Sequence, residues 1–309
     1  MSNPPTADQF GRLSKAGQTL RSSLGERLRE KFLTFKDAQP TEAEILDLVS
    51  FSVISFDEET EAALGADGIF CLAWLDSEPA FKLAIKTLGY SQSDWGSWGG
   101  IFEDYIRRSF KHNYLPGYVA SRIATHGSRY LRNISSIAGA LSRYLSGARH
   151  REVIDGPSTI QRMKELLLEF EQLVAVDWMP EDLKEQLKYK VRTRSAIKLL
   201  DEPYILESPT SRRNDADLPT RLLASELLRI NYSHQKSFHK KAVFHLLGLS
   251  FVERPLEMRT IERLAKSEMD ALRECWAKKI ADRKGLDFDF VLTTLKTNKS
   301  LTLPHEMDL

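Results

Sequence analysis

The side chains best equipped for chemistry in this chain are seven histidines, two cysteines and a few close acid pairs. The histidines are His112, His126, His150, His234, His239, His245 and His305. Metal binding or acid–base work needs two or more such groups on one face, at spacings such as HExxH or a cysteine pair. His234 and His245 are about three helical turns apart and would share a face, but His239 points elsewhere and no cysteine or carboxylate is spaced beside them. Cys71, inside the apolar run IFCLAWL, and Cys275 stand far apart and read as reduced, small apolar side chains. Asp57, Glu58 and Glu59 fit a helix start, where carboxylates complement the dipole. The two acids of Asp287-Phe288-Asp289 would share one side of a strand, without the neighbouring lysine that a nuclease site would add. No Walker A loop, GxSxG or GxGxxG occurs, so neither a metal nor a cofactor is expected.

One spacing does match a reaction. Arg229-Ile230-Asn231-Tyr232-Ser233-His234 resembles the R-x4-H signature of the HEPN ribonucleases, an all-helical superfamily. That resemblance implies Arg229 and His234 acting on RNA at a dimer interface. It covers six residues, and it departs from the family at Ile230, where a polar residue is more usual.

The arginines carry a second, different signal. Formal net charge is only +1, yet residues 37–81 hold eleven acids and no Lys or Arg, while residues 105–151 hold nine bases and no Asp or Glu. On a helical wheel of about 100° per residue, Arg122, Arg129, Arg132 and Arg143 fall within about 80° of one another. Val119, Ile123, Ile134, Ile137, Leu141 and Leu145 take the opposing side. Arg presents a planar fork of donors that fits phosphate oxygens, and the missing carboxylates remove repulsion. Ser128, Asn133, Ser135, Ser136 and Gly139 are short enough to let another backbone approach. Tyr105, Tyr114, Tyr118, Tyr130 and Tyr144 interleave with the bases and could stack on unpaired nucleobases.

Elements that would position these groups are mostly helical. Thr41 and Glu44 form a capping box, Pro79 and Pro180 open helices, and 257–283 reads as one long helix ended near Gly285. The clearest helical stripe is Met163, Leu166, Leu167, Phe170, Leu173 and Val174 after Ser158. FSVISF (51–56) and LDFDFVL (286–292) alternate as strands do, though either could join a helix instead, so a minor β element is the most this mainly α chain allows. The expected organisation is a basic amphipathic arm or helix at 1–36, a helical core domain at 37–200, a linker at 201–218 and a helical C-terminal domain at 219–309. With 42% hydrophobic residues the chain can build a real core. It shows neither a secretory leader nor an apolar run long enough to span a bilayer, so a soluble cytoplasmic protein with no membrane partner is expected.

The leading functional expectation is non-enzymatic binding of a nucleic-acid backbone. Its residues would be Arg107, Arg108, Lys111, Arg122, Arg129, Arg132 and Arg143, with Tyr130 and Tyr144, helped by Arg21, Arg27 and Arg29. The alternative is an adaptor or assembly subunit whose acidic and basic faces bind partners or each other. The third is the ribonuclease implied by Arg229 and His234.

Overall fold

The computed structural model describes residues 3–35, 40–90, 98–112, 114–201 and 215–297. Among them are thirteen α-helices and no strand. Helix α1 (Ala7–Leu33) starts at a capping box between Thr6 and Gln9 and buries Phe10, Leu13, Leu20, Leu24, Leu28 and Phe32, a helical spacing along its whole length. Each fully buried Leu or Phe contributes about 1.5–3 kcal/mol before the entropy of ordering is set against it, so this face is held only where other helices cover it. The N-terminal segment is therefore the central helix of the fold and not an appended arm. Helices α2 (Glu42–Ser77), α5 (Pro116–Gly127) and α6 (Arg129–Leu145) pack around it.

Of the two strand-like segments, FSVISF is helical and LDFDFVL is helical from Phe288 onward. FSVISF lies within α2, which the Thr41–Glu44 capping box starts. Its buried face there is Leu48, Ser52, Ser55 and Phe56, while Ile54 points to solvent. Two serines on the inner face blur the helical stripe, and Ser52 returns its hydroxyl to the Leu48 carbonyl at 2.7 Å. LDFDFVL runs into α13 (Phe288–Thr297), where Asp287 accepts the Phe290 N–H at 2.8 Å as a helix-capping carboxylate does. Helix α2 bends at Gly65, whose φ of 57° only glycine adopts readily.

Helices α3 (Pro79–Thr87) and α4 (Trp98–Lys111) follow, and α5 hands over to α6 at Gly127–Ser128. Beyond them come α7 (Ala148–Val174), α8 (Glu181–Val191) and α9 (Thr193–Asp201), then α10 (Leu218–Gln235), α11 (Lys240–Leu246) and α12 (Met258–Lys284). Most of the expected linker, 202–214, falls outside the described residues. The buried cluster crosses that expected boundary: Leu223, Leu227, Leu228, Val243, Leu246 and Ile261 join the same core as α1, α2, α5 and α6. A small separate cluster of Trp276, Ala277, Val291 and Leu295 fastens α13 to the end of α12, and Gly285 at φ 64° closes α12 where expected. Helix α7 departs most from its sequence pattern. Met163, Leu166 and Leu173 are exposed and only Val174 of the stripe is buried.

Candidate anion-binding cleft

The basic segment divides into neutralised and unneutralised arginines. Arg107 bridges Glu103 at 2.8 Å and Glu42, the latter from the acid-rich segment. Arg108 pairs with Asp104 at 2.7 Å, Arg149 with Glu152 at 2.7 Å, and Arg143 with Glu226 of α10. Beside Arg143 the surface leaves about 10 Å³, room for about one water molecule. The acid-rich segment otherwise meets α1, through Arg12–Asp67, Arg27 with Glu58 and Glu59, and Lys31–Asp47 at 2.9 Å. Those acids lie against the α1 bases more than against residues 105–151.

Arg122, Arg129, Arg132, Lys111, Arg21 and Arg29 are different. No described carboxylate lies within ion-pair distance of any of them. Arg21, Gly25 and Arg29 recur every four residues on α1, so they share one face, and that face meets α5. Between α1 and α5 lies an open cleft of about 540 Å³, lined by Arg21, Gly25, Arg29, Gly117, Tyr118 and Ser121 among others. The Arg122 guanidinium sits 5.8 Å from the centre of the Tyr118 ring at its margin. Arg129 follows seven residues on from Arg122, past His126, as the first residue of α6.

Electrostatics at this face are strained in one sense. Burial, and then the charge of Arg21, push the Arg132 guanidinium below the usual arginine value. Burial, with Arg122 and Arg129 adding to it, likewise lowers the pKa of His126. The Tyr105 hydroxyl lies 2.7 Å from His126 Nε2, so a neutral imidazole can accept its proton. Positive charges are thus held close together with no described carboxylate in ion-pair distance, Glu26 being the one acid that lines the cleft, an arrangement that an anion would relieve.

The crossing that brings Arg21 and Arg132 together depends on small residues. A Cβ at Gly17 would lie 2.4 Å from the Arg132 Cα, and Gly17 N–H donates to Ser135 Oγ at 2.9 Å. Gly139 faces Ser14, and Ser142 donates to the Ala7 carbonyl at 2.7 Å. The short side chains on α6 do admit another backbone, but it is this protein's own α1. Asn133 is buried against the Tyr90 hydroxyl, and Ser136 meets His234 at 3.0 Å.

The aromatic candidates also sort by packing. Tyr130 packs edge-on against Tyr90 with ring centres 5.2 Å apart, and Tyr144 leans on Phe251 at 6.5 Å. Both belong to the rim of the core. Tyr114 and Tyr118 are each 50% exposed. Their rings lie 5.5 Å apart. Arg21, Arg29 and Tyr118, secondary candidates in the sequence, line this cleft together, and the i, i+4, i+8 recurrence of Arg21, Gly25 and Arg29 was the signal for the α1 side of it.

Arg229 and His234 are both engaged within the fold. Arg229 Nε binds Glu268 of α12 at 2.5 Å, and Ser225 donates to the same carboxylate at 2.7 Å. Glu268 is fully buried, so this is an α10–α12 structural contact. His234 turns to Ser136 on α6. Cys71 is buried with its thiol pushed up to about 11 by burial and by Asp67, which keeps it protonated and unreactive. Among the described residues no group of three or more His, Cys, Asp or Glu could hold a metal, and no helix is long and apolar enough to cross a membrane. No family model, curated protein or solved structure matches the chain.

Proposed function

We propose that this protein binds nucleic acid through its phosphate backbone, at the face where α1, α5 and α6 meet. The observation that carries this reading is the set Arg21, Arg29, Arg122, Arg129 and Arg132, gathered from three helices without a described carboxylate partner. On the same helices Arg12, Arg27, Lys31 and Arg143 are each matched by an acid. Contacts of this kind position a polyanion without reading its sequence and release condensed counterions. A cytoplasmic setting goes with this role.

The test is fluorescence anisotropy with labelled DNA and RNA at rising salt. The expected result is a steep loss of affinity with salt, with a slope that falls by about 0.7–0.9 for each phosphate contact removed. Arg21→Glu, Arg129→Glu and Arg132→Glu each weaken binding and flatten the slope. Arg143→Glu, at a residue already paired with Glu226, changes the slope little. Salt-independent binding, or equal affinity in the three charge reversals, excludes the reading.

A second reading, an assembly subunit, is favoured by one separate observation. Met163, Leu166 and Leu173 on α7, with Trp178 at 80% exposure, leave an apolar surface uncovered by this chain's described residues. A second copy of α7 is the occupant proposed for it. Sedimentation over a hundredfold range of protein concentration tests it: wild type associates, and Leu166→Glu with Leu173→Glu abolishes association. A monomer throughout excludes it.

A further inference from the structure

We infer that the cleft between α1 and α5 is a single-strand site, in which an unpaired nucleobase stacks on Tyr118 and neighbouring phosphates lie on Arg21, Arg29 and Arg122. This rests on the nucleic-acid reading above and adds the form of ligand. Three observations carry it. First, the face is concave: Gly25, Gly117 and Ser121 line it with little or no side chain. A duplex is read by an element that projects into a groove, whereas a cleft receives a group that has left the stack.

Second, Tyr114 and Tyr118 take no part in the core, unlike Tyr90, Tyr105, Tyr130 and Tyr144. They form an exposed ring pair with His112, whose ring lies 6.0 Å from that of Tyr114. Leu115, 77% exposed, and Leu33 complete an apolar lip at the cleft. Exposed aromatic and aliphatic side chains beside cations are costly in water and match the two halves of a nucleotide. Third, Arg122 already holds one cation–π contact with Tyr118 at 5.8 Å, which orients the ring and places a phosphate-binding donor beside the stacked base. The cleft also carries one carboxylate, Glu26. It repels phosphate from that point and can accept from the amino group of a base edge.

The experiment compares a labelled 20-nucleotide single strand of mixed sequence with its duplex, titrated into the full chain by anisotropy, with poly-glutamate as a competitor. Wild type binds the single strand at least tenfold more tightly. Tyr118→Ala lowers single-strand affinity about five- to hundredfold, the range expected for loss of one stacked base, and leaves duplex affinity unchanged. Tyr118→Phe keeps the wild-type value, because the ring and not the hydroxyl stacks. Equal affinity for both forms, or an equal loss for both in Tyr118→Ala, overturns the single-strand site while leaving backbone binding in place. No binding to either form overturns both readings, and displacement by poly-glutamate at matched charge shows a site for acidic protein segments instead. A circular dichroism melt of Tyr118→Ala matching wild type excludes misfolding as the cause, and Tyr114→Ala supplies an independent variant on the same ring pair.

Discussion

At the scale of residues, the deciding contrast is between charged groups with partners and charged groups without. Arg229 and Glu268 are a pair whose value lies in not being broken. Glu268 is fully buried and accepts from both Arg229 and Ser225. Removing the cation leaves a carboxylate in the interior, which costs about 3 kcal/mol or more. Arg229→Ala is therefore expected to lower the unfolding free energy measured in urea by about that amount while its salt-dependent nucleic-acid affinity stays at the wild-type value. A ribonuclease of the R-x4-H kind would instead lose RNA turnover in both Arg229→Ala and His234→Ala.

His126 reports on the opposite situation. Its pKa is lowered by burial first and then by Arg122 and Arg129. A histidine whose folded pKa lies below its unfolded value binds fewer protons when folded. Between those two values stability thus rises with pH, and acidification below the ordinary histidine range destabilises the fold. An anion seated on Arg122 and Arg129 cancels part of their charge, so oligonucleotide binding is expected to raise the His126 pKa. Ring-proton chemical shifts titrated with and without ligand check this. An unchanged value would place the anion elsewhere.

At the scale of elements, the α1–α6 crossing sets the geometry of the cation cluster. Gly17 lies against Arg132 backbone, with no flexible side chain to move aside. Two effects compete in Gly17→Ala. Helix propensity favours alanine by about 1 kcal/mol, whereas forcing a methyl into a packed backbone contact costs about 1–3 kcal/mol. At 2.4 Å from a Cα the clash prevails, so a net loss of stability in chemical denaturation is expected, together with weaker oligonucleotide binding as Arg21 and Arg132 move apart. The α7 stripe shows the limit of periodicity as an argument. A helical apolar pattern states that a face needs covering, but not by what.

At the scale of the whole molecule, one buried cluster joins α1–α6 to α10–α12. Leu223, Leu227, Leu228 and Leu246 are buried there at 2% exposure or less. A fragment that stops at residue 214 would expose their contact surfaces and is expected to lose the cooperative melt of the full chain, as followed by calorimetry. A sharp transition at the wild-type temperature in that fragment would show an independent N-terminal domain. The α12–α13 cluster is smaller and separate, so deleting residues 286–309 is expected to leave the main transition in place.

Sequence alone determined what depends on neighbours along the chain. The mainly helical class, the Thr41–Glu44 box and the end of α12 at Gly285 are local matters of capping and backbone freedom. The arginine stripe was legible for the same reason, since a wheel needs only helical geometry. Which arginines keep an unbalanced charge was not legible. Glu42 and Glu226 are far in sequence from Arg107 and Arg143, and only folding brings them within reach. Nor could the sequence say that Ser135 and Gly139 receive α1, or that Tyr130 faces the core while Tyr118 faces the cleft. A charge acts through distance in space and an aromatic ring through what covers it, and both quantities come into being only when distant helices pack.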